Sequence, residues 1–178
     1  HEIQSYFCLV NLCDDLKIKK IKDQKDIVSF KGKFSKYIKK KTNSIVDVLN
    51  ILRDRNLISS HYSVSINKKI PVFGGMGGGT SNAICLVKYF TKIKISKNLL
   101  NILSKKIGSD VRLFLYKQGF LKNLRKVNKF QRNHRLYFLL VYPKIKCSSQ
   151  YIYSKVREFT SKSDFSFKKI SSKNNFIK

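Results

Sequence analysis

Between Gly74 and Gly79 the chain places five of its eight glycines, broken only by Met76, and follows them with Thr80 and Ser81. No other stretch limits so strongly what this sequence can fold into. Residues without Cβ atoms allow positive φ and a close approach of the backbone to another group. Upstream, Tyr62, Val64 and Ile66 alternate with polar residues, the period of a strand. Downstream, Ala83, Ile84, Val87 and Phe90 recur at helical spacing. A strand, a glycine loop and a helix N-terminus in that order make a cradle for phosphate, because the first helical N–H groups and the positive end of the dipole face one anion. Thr80 and Ser81 add hydroxyls where a phosphate oxygen or a magnesium ion would sit. A flexible linker would carry polar flanks instead. The loop lacks the Lys-Ser/Thr ending of a P-loop, and no G-x-G-x-x-G can be laid on it.

The stretch from Gly74 through Met76 and Thr80 to Ala83 resembles the glycine loop of the 4-diphosphocytidyl-2-C-methyl-D-erythritol kinases, a family in the superfamily of galactose, homoserine, mevalonate and phosphomevalonate kinases. Three more stretches agree in order and spacing: His1-Glu2-Ile3-Gln4-Ser5, Ile107-Gly108-Ser109-Asp110-Val111, and Tyr142-Pro143 followed by Ser148, Ser149 and Tyr153. The resemblance implies an α+β fold, that of a two-domain small-molecule kinase. It implies ATP and Mg²⁺ as cofactors, and transfer of the γ-phosphoryl group to the 2-hydroxyl of a cytidine diphosphate-linked methylerythritol, on the non-mevalonate route to isoprenoid precursors. ATP contacts implied in the same way are Pro71, Gly74, Gly75, Met76, Gly77, Gly78, Gly79, Thr80 and Ser81, with Lys68 and Asn43 toward the adenosine end. His1, Ser149 and Tyr153 would grip the cytidine, Tyr153 by stacking. Mg²⁺ would be carried by ATP, with Ser81 the candidate side chain. Phe73 stands where the family usually has glycine, Arg112 where it has proline, and residues 124–129 lack a glycine-containing turn.

Asp110 follows Gly108-Ser109 at the end of an apolar helical segment. By residue type alone Ser-Asp suits a turn or a helix cap. The resemblance makes it the carboxylate that orients, or takes the proton from, the attacking hydroxyl. Phosphoryl transfer asks the protein mainly for positioning and charge neutralisation. Strongly positive surroundings should keep such a carboxylate ionised.

At 178 residues the chain can bury one good core, or one domain and part of another. Its net charge of +28 invites a nucleic-acid reading. The lysines are spread along the whole chain, however, and no helix-turn-helix, zinc finger or ribonucleoprotein motif is present. The pattern fits a compositional bias as well as a dedicated basic face, and the charge would attract nucleotide and diphosphate substrates; no specific nucleic acid is expected, and the alternatives are a homoserine- or mevalonate-type kinase of the same superfamily or an inactive basic nucleic-acid-binding fragment. Cys8, Cys13, Cys85 and Cys147 form no Cys-x-x-Cys pair, and His61 and His134 lack ligand-spaced neighbours, so reduced thiols are expected rather than a zinc site. No apolar run approaches the length of a bilayer span and no signal peptide is evident, so a cytoplasmic protein is the expectation.

Residues 1–12, 16–18 and 26–30 read as strands. Thr42-Asn43 should cap a helix that buries Ile45, Val46, Leu49 and Leu52, and Ser96 a helix bearing Leu99, Leu100 and Leu103. Residues 136–142 form a continuous apolar run closed by Pro143, expected as a buried strand that opens a second domain. This divides the chain into an ATP-binding domain over residues 1–132 and the start of another over 133–178. The chain begins at His1 inside an expected strand, which suggests a partial chain. By the resemblance, the family's catalytic lysine and nearby asparagine fall upstream of His1, and little turnover is expected from these residues alone.

Overall fold

The computed structural model describes residues 3–130, 132–145 and 149–158. In chain order they form β1 (Ser5–Cys8), β2 (Asp15–Ile21), β3 (Ile27–Lys31), α1 (Ser44–Asp54), β4 (His61–Asn67), α2 (Gly78–Phe90) and α3 (Lys97–Lys106). A 3-10 helix (Ser109–Leu115), β5 (Gln118–Asn123), β6 (Lys126–Lys129) and α4 (Ser149–Ser154) follow. The arrangement is the mixed α+β one expected.

Strand β4 is the middle of the sheet β2-β4-β3, antiparallel to β2 and parallel to β3. Parallel neighbours need a crossover, and α1 provides it between β3 and β4. Val64 and Ile66 point inward from β4 and are fully buried, whereas Ser63 and Ser65 alternate on the other side. Onto this inner face pack Ile45, Val48, Leu49 and Leu52 of α1, Ala83, Ile84, Leu86 and Val87 of α2, and Leu99 and Leu103 of α3. Val48, not Val46, belongs to the fully buried stripe of α1, while Val46 is half-buried. Asn43 caps α1 through its Oδ1, which accepts from the N–H groups of Ile45 and Val46, and Ser96 caps α3 at the N–H of Leu99.

The second sheet, β1-β5-β6, is antiparallel and has its own small cluster of Phe120 and Phe130 beneath Tyr6. Among the described residues of the first expected strand, Ser5–Cys8 form the ladder with β5, and the Leu9 N–H donates to the carbonyl of Lys117 just beyond it. The β5–β6 turn does without glycine: the Asn123 side chain accepts from the N–H of Arg125, an Asx-type turn.

The apolar run 136–142 is not a buried strand. Residues 133–145 carry no regular structure, and Tyr137, Leu139 and Val141 are 79–90% exposed. Strands need partners for their N–H and C=O groups, and among the described residues neither sheet extends an edge to this segment. It is held at its ends, by paired hydrogen bonds between Gln118 and the backbone of His134 and by the edge contact of Tyr142 with Phe34. Among the described residues no helix is long and apolar enough to cross a membrane.

Candidate active site

The glycine loop leaves the end of β4 and enters α2 at Gly77, whose φ of 63° is left-handed and makes it the N-cap. A Cβ on Gly77 would stand 2.8 Å from Cζ of Phe114, so both backbone and space require glycine. Phe73 also adopts a left-handed φ, 64°, which gives a physical reason for glycine at that place in the resembling family. At the start of α2 the first N–H groups lack the i−4 partners that later turns have, as at any helix N-terminus, and the glycine loop leads directly into that end.

The loop separates two hollows. One, of about 450 Å³, is walled by Phe7, Cys8, Leu12 and Cys13, by Gly75, Met76, Gly77 and Ser81, and by Asp110, Leu113 and Phe114. The other, of about 260 Å³, is lined by Asn43, Ser44, Lys68, Pro71, Phe73, Gly74 to Gly79 and Asn82. Gly75, Met76 and Gly77 face both. Asp110 is exposed and lines the larger hollow, and its neighbour Val111 is fully buried, which seats the 3-10 helix. Lys88 Nζ donates to the carbonyl of Phe114 at 2.7 Å, and Arg112 Nη2 donates to Asn101 Oδ1 at 2.6 Å. These bonds tie the helix bearing Asp110 to α2 and α3, and they give Arg112 a place that proline could not fill.

The structure thus brings Gly75, Met76, Gly77, Ser81 and Asp110 to one hollow, and Pro71, Gly74, Gly78, Gly79, Lys68 and Asn43 to the other. Thr80 lies in the first turn of α2 and lines neither. Tyr153 stands exposed on α4 and borders neither hollow, and Ser149 begins the same helix. His1 lies outside the described residues. Lys68 is no solvated lysine: it is 4% exposed, and its ammonium is paired with the Asp14 carboxylate.

Asp14 carries no motif, and sequence reasoning missed it. Its Oδ1 accepts from the backbone N–H groups of Lys69 (2.7 Å) and Ile70 (2.8 Å), and its Oδ2 from Lys68 Nζ and Asn82 Nδ2 (2.8 Å). Burial pushes this carboxyl's pKa up, but the hydrogen bonds from Ile70, Lys68, Asn82 and Lys69 outweigh it and hold the pKa below its ordinary value. The available signal was scarcity, since the chain has only ten acidic residues against 38 lysines and arginines.

Residues 36–118 match the family described as GHMP kinases N terminal domain. The glycine loop and Asp110 both fall within this matched segment. Relatives of the chain include proteins named 4-diphosphocytidyl-2-C-methyl-D-erythritol kinase. The one from Pelagibacter ubique (strain HTCC1062) is 35% identical over 165 residues, covering 90% of this chain and 58% of its own. Those from Ureaplasma parvum serovar 3 (30% identical; 79% of this chain, 56% of the relative) and Buchnera aphidicola subsp. Schizaphis graminum (32%; 86% and 56%) are similar over the same part. The chain therefore spans a little over half the length of these relatives. A solved structure of 4-(cytidine 5'-diphospho)-2C-methyl-D-erythritol kinase shares the fold, with a TM-score of 0.59 at 20% identity, over 88% of this chain and 56% of that one.

Proposed function

We propose that this chain forms the phosphate-binding part of a kinase that transfers the γ-phosphoryl group of ATP to the 2-hydroxyl of 4-diphosphocytidyl-2-C-methyl-D-erythritol. The observation that carries the reading is the larger hollow, which the glycine loop at the N-terminus of α2 and Asp110 line together. The triphosphate would lie along Gly75 to Ser81, with the nucleoside in the smaller hollow near Asn43 and Pro71 and the alcohol in the larger one. The backbone fits such an anion: glycines keep the loop open, and it leads into the N-terminus of α2, the positive end of the dipole. Mg²⁺, when bound with ATP, would neutralise phosphate charge, and the Ser81 hydroxyl is the side chain that would hold it. Asp110 would orient the attacking hydroxyl and receive its proton at the carboxylate, the wall of Leu113 and Phe114 limiting water beside it. Names of the relatives favour the cytidine-linked substrate over homoserine or mevalonate.

Calorimetric titration tests the reading. ATP with Mg²⁺ should bind, the cytidine-linked alcohol should bind to the ATP complex, and homoserine and mevalonate should not. A chain that binds no ATP, or that prefers homoserine or mevalonate, refutes it.

A further inference from the structure

We propose that Asp14 is a positioning residue for the phosphate loop, a clasp that closes both stems of the loop on one carboxylate. This rests on the kinase reading of the same site. The entry stem is Lys68 to Ile70, and all three of its residues donate to Asp14, two through backbone N–H groups and one through its ammonium. The exit stem is the first turn and a half of α2, where Asn82 donates to the same carboxylate. Between the stems lie residues 71–77, and their path is set by where the stems are held. The side chain of Asp14 is completely buried and its two oxygens receive four donors, so no acceptor capacity is left for substrate.

A buried ion pair placed only for stability could join any two elements. This one joins the elements on either side of the ligand loop, and Lys68 lines the smaller hollow beside it. A Cβ built on Gly78 would be 3.4 Å from Lys68 Nζ, so the ammonium packs against the start of α2. The positive charge is thus held beside the first residue of α2, and Asp14 fixes its place. Nothing in this role requires Asp14 to touch ATP or the alcohol.

Asp14→Asn preserves size and leaves one oxygen for the N–H groups of Lys69 and Ile70, but turns an NH₂ donor toward the donors Lys68 and Asn82. Asn82→Ala removes only the exit-stem bond. Both are measured in the full chain by thermal melting, by ATP titration and by the backbone amide resonances of Gly75 to Thr80. Asp14→Asn should weaken ATP binding about 10-fold or more at temperatures far below its melting point, with the loop amides shifted and those of α3 unmoved. Asn82→Ala should do the same to a smaller degree while melting only about 2–12 °C below the parent, since it leaves one buried acceptor unpaired, and it decides the question if Asp14→Asn does not fold. Parent-like loop amides and ATP affinity in a folded variant overturn the clasp. If the parent chain binds no ATP, the kinase reading falls, while the loop amides still report on the clasp by themselves.

Discussion

Two alanine substitutions two residues apart in the glycine loop should have opposite effects on stability. Gly77→Ala forces a Cβ onto a residue with φ of 63° and drives it to 2.8 Å from the Phe114 ring. The left-handed conformation costs a non-glycine residue about 1–2 kcal/mol. Moving an aromatic ring that packs against the core costs about 1–3 kcal/mol more. Loss of unfolded-state freedom returns about 0.4–1 kcal/mol. The net is roughly 1–4.5 kcal/mol of destabilisation, or about 2–18 °C at about 2–4 °C per kcal/mol for a chain of this size. Gly79→Ala meets nothing closer than Ser44 Oγ at 3.5 Å, an ordinary contact, in a helical turn. Alanine there gains about 1 kcal/mol of helix propensity, a rise of about 2–4 °C. Differential scanning calorimetry of the ligand-free proteins reads both. A Gly77→Ala protein that melts with the parent, or a Gly79→Ala protein that falls as far as Gly77→Ala, refutes the steric argument for the loop.

Asp110→Asn should weaken binding of the cytidine-linked alcohol to the ATP complex about 10-fold while the Kd for ATP stays near that of the parent; parallel calorimetric titrations check this, and unchanged alcohol binding separates Asp110 from the hydroxyl. Acid stability should depend on Asp14. Its folded pKa lies below the ordinary 3.8, so its stabilising contribution is complete above 3.8 and is lost as the pH falls through the lower folded value. Urea melts between about pH 5 and pH 2 should show an acid limb that Asp14→Asn flattens, and equal limbs would contradict the assignment. Cys13 is exposed on the wall of the larger hollow, whereas burial pushes the Cys8 thiol up and makes its thiolate scarcer. Iodoacetamide followed by peptide mass mapping should modify Cys13 before Cys8, and saturating ATP with the alcohol substrate should slow it; equal rates at both thiols, or no protection, would count against the geometry of the hollow.

Local residue types determined much of this chain without help from the rest of it. The glycine loop, the strand before it and the helix after it follow from backbone freedom and from periods of 2 and 3.6, which need only neighbouring residues. Asn43 and Ser96 announce helix starts for the same reason, since a capping side chain bonds two or three positions along its own chain. Asp110 was legible as a residue, but its sharing a hollow with Gly77 was not, because Val111, Lys88 and Arg112 seat its helix through contacts far apart in sequence. The run 136–142 misled because hydrophobicity records a demand for burial and not whether an edge is available to meet it. Lys68 and Asp14 are separated by 53 residues along β2, β3, α1 and β4, and each looks like an ordinary surface charge until the sheet forms. Only the tertiary structure removes both from water and sets them beside the start of α2, since the cost of burying one charge makes sense only where its partner is already fixed.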